Sequence, residues 1–155
     1  MLEINIPGYK EFKFKNIVFD YNGTLAVDGQ LDLYIKNMII ELSKFSNIYI
    51  LTADTYGNVE KQCLGLPVKI KTFPCNEAAS SKKQIVSLLD GESVCIGNGY
   101  NDIEMFKVAD LSICIIGEEG CSGKLISYSD IVVTSRESLF ELFFHTHRIR
   151  ATLRG

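Results

Sequence analysis

Hydrophobic and polar positions change their spacing along the chain in a way that separates strands from helices. Residues 2–6 and 11–15 alternate apolar and polar side chains on either side of Pro7-Gly8, a pattern typical of a β-hairpin. Residues 33–45 instead place apolar side chains at the three- and four-residue spacing of an amphipathic helix. The chain is therefore predicted to open with a hairpin and to continue with helices.

The rest of the chain alternates short apolar runs with helical segments. Strands are predicted at 16–19, 47–52, 68–73, 93–97, 111–116 and 130–134, and further helices at 55–63, 80–89, 101–109, 121–128 and 136–145. Alternating strands and helices predict a parallel sheet with helices on both faces, and continuously apolar strands are expected when both faces are covered. The sequence therefore predicts a doubly wound, Rossmann-like α/β fold with three layers (α/β/α) and an N-terminal β-hairpin.

Composition limits the class of protein. With 155 residues, 46% of them hydrophobic and 23% charged, residues 1–155 are expected to form a single globular domain. The net charge of −3 argues against broad nucleic-acid binding, which usually needs a basic face. No apolar run approaches the roughly 20 residues of a membrane span, and residues 1–9 lack the pattern of a signal peptide. We therefore expect a soluble, cytoplasmic protein.

The five cysteines include no C-x-x-C pair, so neither a disulfide framework nor a structural zinc site is predicted. Cys95 and Cys114 lie in apolar runs and are expected to be buried. Cys121 lies in a glycine-rich loop, where it can be exposed, but nothing in the sequence gives it a reactive role.

Polar segments follow three predicted strands, and a pair of lysines lies in the helix between them. These segments are Asp20–Leu25, Thr52–Asp54, Lys82-Lys83 and Gly97–Asp102. Folds of this type bind ligands outside the carboxyl ends of their strands, so the four segments are expected to converge. Carboxylates, an ammonium, a hydroxyl and amides suit phosphoryl transfer, which depends on positioning and charge neutralisation.

Asp20 is the candidate nucleophile, because an aspartate carboxylate can attack phosphorus and form an aspartyl-phosphate. Mg²⁺ prefers a few hard oxygen ligands, which Asp102 and the amide of Asn98 can supply. Asp20 in a turn and Asp102 as a helix cap are the purely structural alternatives.

Phosphate binding is predicted for an ammonium, a hydroxyl and backbone amides. Lys82 can hold the incoming dianion, and the Thr52 hydroxyl and the N–H groups after Asn22 can bind its oxygens. One of Lys82 and Lys83 is expected to be a solvated surface charge, and helix phase favours Lys82 for the site. Thr52 can also be only a β-branched strand residue.

Four segments in order, IVFDYNGTL, IYILT, KKQIV and IGNGYND, resemble the signature of the haloacid dehalogenase superfamily, and the resemblance runs from Asn16 to about Ser135. The KxxIV and GxGxND forms look most like the phosphorylation domain of P-type cation ATPases. The family resemblance implies a magnesium-dependent hydrolase acting on phosphomonoesters or phosphoanhydrides. It implies a catalytic set of Asp20, Asn22, Thr52 and Lys82, a phosphate-binding set of Gly23, Thr52, Ala53, Lys82 and Asn101, and a metal-binding set of Asp20, Asn22, Asn98 and Asp102.

Two positions depart from the family pattern. Asn22 stands where the phosphatases carry the aspartate that protonates the leaving group, and an asparagine cannot transfer a proton in that way. Because general acid–base help contributes about 10²–10⁴-fold, we expect slow turnover, a phosphotransferase or ATPase-like enzyme, or a long-lived phosphoenzyme. Asn98 replaces a second aspartate and removes one charge from the metal site. Both changes also leave open a catalytically silent binding domain.

The chain has no room for a cap domain. Only residues 21–51 separate Asp20 from Thr52, and only residues 53–81 separate Thr52 from Lys82. A capless member resembles those that use large substrates or a neighbouring subunit. The expected partner is a phosphorylated small molecule or macromolecule, and a second copy of the chain is the alternative to a large substrate for closing the site.

Three other segments have an ordinary explanation. Residues 97–102 depart from the dinucleotide-binding fingerprint at the last glycine, and residues 117–124 depart from the P-loop in spacing. The segment 117–124 is predicted to be a turn between a strand and a helix. The residues after 145 are predicted to be a solvated basic tail.

Overall fold

Seven strands form one sheet in the part of the chain that the computed structural model describes, residues 1–54 and 57–155. The strands are β1 (Leu2–Ile6), β2 (Lys10–Asp20), β3 (Asn47–Thr52), β4 (Val68–Thr72), β5 (Glu92–Gly97), β6 (Leu111–Ile115) and β7 (Ile131–Val133). Their order is β4-β3-β2-β5-β6-β7, all parallel, and β1 adds to β2 in the antiparallel direction. The predicted fold class is confirmed.

The predicted helices lie in the order that the sequence predicts, and one further helix follows them at the C-terminal end. They are α1 (Leu33–Leu42), α2 (Val59–Gln62), α3 (Ala78–Ser87), α4 (Ile103–Val108), α5 (Gly123–Ile126), α6 (Arg136–Phe144) and α7 (His147–Leu153). Short 3₁₀ turns at Cys75–Glu77 and Tyr100–Asp102 precede α3 and α4. Part of the helix predicted at 55–63 falls on residues 55 and 56, outside the described residues.

Strand β2 differs from prediction, because the hairpin strand and the first core strand are one element of 11 residues. Its first half pairs with β1, with Leu2 opposite Phe14, and its second half pairs with β3 and β5. Burial along β2 changes from alternating to continuous near Asn16. The change of pattern therefore marks the point where helices begin to cover both faces of the strand, and the strand itself continues.

The core has two layers of side chains, one on each face of the sheet. Ile17 and Phe19 pack with residues of α1 and α6, whereas Val18 packs with residues of α3 and α4. Each of these three side chains is fully buried, which stabilises the fold by about 1.5–3 kcal/mol per side chain. This packing holds the carboxyl end of β2 rigidly between two helical layers.

Two helices start at side-chain caps. The Asp32 carboxylate accepts a hydrogen bond from the Ile35 N–H at 2.9 Å, and the Ser135 hydroxyl accepts one from the Ser138 N–H at 3.0 Å. Such caps satisfy N–H groups that have no partner within the helix.

The C-terminal segment corrects the prediction of a solvated tail. Residues His147–Leu153 form α7, which packs on β1 and buries Ile149 completely. The Arg150 Nε donates to the Asn5 carbonyl at 2.9 Å. Ile149 and Leu153 are spaced by four residues and lie on the face that packs on the core. Their helical spacing is the signal that the basic composition of the segment concealed.

No helix in the described ranges is both long enough and apolar enough to cross a membrane.

Candidate active site

The carboxyl ends of three adjacent strands bring the predicted site residues together. Asp20 ends β2 and is in register with Leu51 of β3, so Thr52 follows directly beside it. Strand β5 pairs with the other side of β2 and ends at Gly97, immediately before Asn98. The doubly wound topology therefore converts segments about 30 and 75 residues apart into neighbours.

Lys82 is the centre of the site. Its Nζ donates to Asp20 Oδ1 at 2.8 Å, to Asp102 Oδ1 at 2.7 Å and to Asn101 Oδ1 at 3.0 Å. Only 1% of its surface is exposed. Lys83 points away and pairs with Glu104 at the surface, at 3.3 Å. Successive helix residues point about 100° apart, so the predicted choice of Lys82 follows from helix phase.

The charges of this group shift the pKa values of its members. Burial, together with the Asp102 carboxylate, raises the pKa of Asp20 to about 6, against the opposing effect of Lys82. Burial alone would lower the pKa of Lys82, but the two carboxylates raise it above its ordinary value. Lys82 is therefore a fixed cation, and one cation is shared by two buried carboxylates.

Asp102 supports the site from behind. Its Oδ2 accepts hydrogen bonds from the Asn98 N–H at 3.1 Å and the Gly99 N–H at 2.9 Å, and the residue is fully buried. A side chain at Gly97 would collide with the Asp102 carboxyl, so glycine is required at that position. The carboxylate thus fixes both Lys82 and the turn that carries Asn98.

A small polar cavity of about 230 Å³ lies in front of these residues. It is lined by Asp20, Asn22, Thr52, Ala53, Phe73, Lys82, Asn98, Gly99 and Asn101. Its volume is below the roughly 300–1,000 Å³ of typical ligand pockets, which suits a compact charged group. Seven of the nine residues predicted for the site line this cavity; Asp102 and Gly23 do not.

Thr52 presents a hydroxyl to the cavity. The residue is 2% exposed, and its Oγ1 accepts a hydrogen bond from the Asp54 N–H at 2.9 Å. Because the oxygen accepts that bond, the hydroxyl hydrogen remains available to donate to an oxygen in the cavity.

Gly23 has a steric part in the site. Its φ is +80°, and a side chain there would collide with the Asn98 amide. Its N–H donates to the Ala26 carbonyl at 2.9 Å, so that group is already used within the turn. The structure therefore does not bring Gly23 to the cavity as an amide donor, in contrast to its predicted place in the phosphate-binding set.

Thr24 is a site residue that sequence reasoning missed. Its buried hydroxyl lies 3.2 Å from Asp20 Oδ2 and 3.4 Å from Asn98 Oδ1. The hydroxyl therefore joins the candidate nucleophile to a candidate metal ligand. The signal was present, since Thr24 belongs to the D-x-x-G-T-L motif that identifies Asp20.

The loop between β6 and α5 holds Asn98 in place. Sequence reasoning predicted Asn98 but missed this role of the loop. The Asn98 Nδ2 donates to the Gly120 carbonyl at 3.2 Å, and the Asn98 carbonyl accepts from the Ser122 N–H at 2.8 Å. These bonds leave Asn98 Oδ1 free to accept from the Thr24 hydroxyl, 3.4 Å away, which also contacts Asp20 Oδ2. The segment 117–124 forms a turn before a helix, as predicted, and it also positions the site.

Three oxygens at the cavity fit a divalent cation. Asp20 supplies a carboxylate and Asn98 an amide oxygen, and the buried Asn22 Oδ1 has no hydrogen-bond partner among the described residues. No cluster of three His, Cys, Asp or Glu side chains in the described ranges could hold a metal. A cation here would therefore rely on amide oxygens, which suits a hard ion such as Mg²⁺ with retained waters.

No protein-family model matches the chain. An uncharacterised protein of Methanocaldococcus jannaschii is 46% identical over 61 residues, which is 39% of this chain and 66% of that protein. A phospholipid-transporting ATPase of Macaca fascicularis is 31% identical over 96 residues, which is 58% of this chain and 14% of that protein. The chain thus spans less than two thirds of either relative.

Solved structures resemble the chain over most of its length. The cobalt-bound deoxy-D-mannose-octulosonate 8-phosphate phosphatase of Haemophilus influenzae has a TM-score of 0.71 at 12% identity, covering 86% of this chain and 88% of that one. The 3-deoxy-D-manno-octulosonate 8-phosphate phosphatase of Moraxella catarrhalis, in complex with magnesium, phosphate and KDO, has a TM-score of 0.70 at 16% identity, covering 92% and 94%. A putative hydrolase of the haloacid dehalogenase family from Streptomyces avermitilis has a TM-score of 0.62 at 15% identity, covering 79% and 76%. The chain therefore has the fold of the haloacid dehalogenase superfamily, as its four motifs predict.

Proposed function

We propose that the protein is a magnesium-dependent phosphohydrolase that forms an aspartyl-phosphate on Asp20. The observation that carries the proposal is the buried Lys82, which contacts Asp20 and Asn101 at the wall of a polar cavity. A domain with no chemical role has no need to keep a cation and a carboxylate desolvated at a cavity, because their burial is costly.

Asp20 attacks the phosphorus of a phosphomonoester, and the bond to the leaving oxygen breaks. Lys82 balances the negative charge of the phosphoryl oxygens, while Thr52 and the Asn101 amide donate hydrogen bonds to them. A divalent cation held by Asp20, Asn98 and Asn22 Oδ1 would neutralise further charge on those oxygens. Water then hydrolyses the aspartyl-phosphate and returns the Asp20 carboxylate.

Asn22 limits the rate of this cycle. It lines the cavity at the position where a carboxyl would protonate the leaving group, and an amide cannot donate that proton and take it back. Proton transfer then depends on water, and both steps slow by about 10²–10⁴-fold. The same residue favours the second candidate function, a phosphotransferase or ATPase-like enzyme whose phosphoenzyme persists.

The test is phosphate release from an aryl phosphate, with Mg²⁺ and with EDTA, for wild type, Asp20→Asn and Asn22→Asp. We expect slow, Mg²⁺-dependent release that disappears in Asp20→Asn and rises by about tenfold or more in Asn22→Asp. Because two fold neighbours are phosphatases of an 8-phosphorylated sugar acid, 8-phosphorylated sugar acids belong among the substrates tried next.

Labelling with acetyl phosphate distinguishes an enzyme with a persistent phosphoenzyme from a catalytically silent binding domain. A label on wild type that outlasts the turnover time, and that Asp20→Asn lacks, supports the persistent phosphoenzyme. If wild type releases no phosphate and takes no label, and Asn22→Asp gains no activity, the protein is a silent binding domain and the proposal is wrong.

We extend the proposal to the domain organisation, the location and the partner of the protein. We propose that residues 1–155 act as one capless domain in the cytoplasm, on a phosphorylated substrate that is itself macromolecular or that a second copy of the chain helps to enclose. Light scattering across protein concentration tests the second copy, and a monomer at working concentration contradicts it.

A further inference from the structure

Two cysteine sulfurs meet beside the loop that holds Asn98. Cys114 Sγ on β6 lies 2.7 Å from Cys121 Sγ in the loop between β6 and α5. A disulfide bond measures about 2.05 Å, so the two sulfurs need to move only a fraction of an ångström to bond. No other pair of sulfurs in the described ranges makes such a contact, and all five cysteines are free thiols.

The two cysteines lie next to residues that hold the candidate metal ligand Asn98. Cys114 is in register with Gly97, the residue before Asn98. Gly120 and Ser122, the neighbours of Cys121, are the two residues whose backbone groups bond to Asn98. A bond between the sulfurs therefore changes the position of the loop that fixes the Asn98 amide.

We propose that Cys114 and Cys121 are a reversible disulfide site that sets the metal affinity of the active site through Asn98. The chemistry needs a low-molecular-weight disulfide, such as oxidised glutathione, as oxidant. The half-buried Cys121 thiolate attacks one sulfur of that molecule, forming a mixed disulfide and releasing one thiolate. The Cys114 thiolate then attacks the Cys121 sulfur and releases the second, so the protein loses two electrons and two protons.

The order of the two steps follows from burial. Cys114 is fully buried, whereas Cys121 is partly exposed and can meet the oxidant. Burial and the neighbouring Cys121 raise the pKa of Cys114 to about 12, which makes the second step slow. Cys114 is the resolving thiol because it attacks a sulfur already in contact with it.

Formation of the bond draws Cys121 towards β6. The Gly120 carbonyl and the Ser122 N–H move with it, and Asn98 loses the contacts that hold its Oδ1 beside the Thr24 hydroxyl, which in turn contacts Asp20. Residues that orient a metal ligand change affinity by about 10–100-fold when they are removed, so a displaced loop is expected to weaken Mg²⁺ binding by about threefold to tenfold.

The experiment uses the full chain with Cys75→Ser, which removes an exposed thiol outside the site. The protein is incubated with oxidised glutathione, and intact mass is measured without reductant. We expect loss of two hydrogen atoms with no glutathione attached, reversed by dithiothreitol. Cleavage after Glu119 separates the two cysteines, so the fragments stay together only when they are linked.

Two measurements then compare the oxidised and reduced forms. Closing this short loop removes entropy from the unfolded chain, so Tm without metal is expected to rise by about 5 °C. The Mg²⁺ concentration that half-saturates the metal-dependent rise in Tm is expected to increase by about threefold to tenfold. The Cys121→Ser variant should show neither change under the same oxidant, and Cys63→Ser, a buried cysteine elsewhere, should show both.

Failure of the disulfide proposal can be distinguished from failure of the proposed function. Only the effect on metal affinity rests on the proposed function. If Cys75 of wild type is modified while Cys114 and Cys121 stay reduced, the disulfide site is refuted. If the link forms and the Mg²⁺ response is unchanged, the control over Asn98 is refuted. A protein that releases no phosphate but shows the link and the shifted Mg²⁺ response supports the inference and contradicts only the proposed function.

Discussion

Lysine–carboxylate clusters occur in two regions of the sheet, and they differ mainly in burial. At the site, Lys82 lies 2.8 Å from Asp20 and 2.7 Å from Asp102, with all three side chains removed from water. Near the start of β2, Lys10 lies 3.0 Å from Glu92 and 3.5 Å from Asp110, with 44% of its side chain exposed. Both clusters join one cation to two carboxylates.

Because the two clusters differ in burial, they differ in what their charges do for stability and for reactivity. Water screens the Lys10 cluster, so its charges are worth little. Partial burial opposes the ionisation of Glu92, but the Lys13 N–H and Lys10 outweigh that effect and lower the pKa of Glu92. The Lys82 cluster has no such screening, which is why the pKa of Asp20 is raised and why loss of one partner leaves a buried charge uncompensated. Of the two clusters, only the Lys82 cluster places a reactive carboxylate next to a fixed cation.

The largest expected effect is that of Lys82→Met. Removing the ammonium leaves Asp20 and Asp102 buried without a cation, and we expect a loss of about 3–5 kcal/mol in the free energy of unfolding. Phosphate release should disappear in the same variant. Urea unfolding with EDTA measures the first effect, and Mg²⁺ should restore part of the stability because a cation can replace some of the lost charge.

The control for that variant is Lys83→Met, on the same helix. Lys83 pairs with Glu104 at the surface, so its loss should change stability by less than about 1 kcal/mol and leave phosphate release unchanged. Equal effects of the two substitutions would mean that burial of Lys82 has no energetic importance.

A smaller effect of opposite sign is expected for Asp20→Asn. The pKa of Asp20 is raised from 3.8 to about 6, so its ionised form is disfavoured by folding. The contribution of Asp20 to the free energy of unfolding should therefore be most favourable below pH 4, where the carboxyl is protonated in both states. It should be lost as the pH rises through about 6. One pKa unit corresponds to about 1.4 kcal/mol, so the variant should be more stable than wild type by about 1–3 kcal/mol at pH 7.

This prediction is measured by urea unfolding of both proteins between pH 4 and 7 in EDTA. The difference between them should be small at pH 4 and should open towards pH 7. A variant less stable than wild type at pH 7 would show that contact with Lys82 outweighs the burial of the carboxylate.

The sequence predicted most of the fold because the relevant signals are local. The apolar and polar pattern of β2 and the phase that turns Lys82 inwards are both readable within a few residues. Helix α7 was missed because its apolar face is narrow, with Ile149 and Leu153 set among arginines. A basic composition does not prevent a helix from docking through two apolar residues.

The supporting contacts of the site were not predictable from the sequence in the same way. Asp102 was predicted as a metal ligand, and its contacts to Lys82 and to two backbone amides were not foreseen. The bonds from Gly120 and Ser122 to Asn98 depend on how a loop returns over the sheet. Such contacts join segments that no short motif connects, so only the folded chain reveals them.

The smallest expected effect is that of Lys10→Met. Methionine keeps most of the apolar stem that packs near Phe12, whose ring centre lies 4.8 Å from the Lys10 ammonium, and removes only the charge. Because exposed pairs contribute about 0–1 kcal/mol, we expect Tm to change by no more than about 2–4 °C and phosphate release to be unaltered. Thermal unfolding at 0.05 M and 0.5 M salt checks the reason, since whatever stability the charge provides should be lost at high salt. If Lys10→Met instead costs as much as Lys82→Met at both salt concentrations, then the number of carboxylates around a lysine, and not its burial, decides what the cluster is worth.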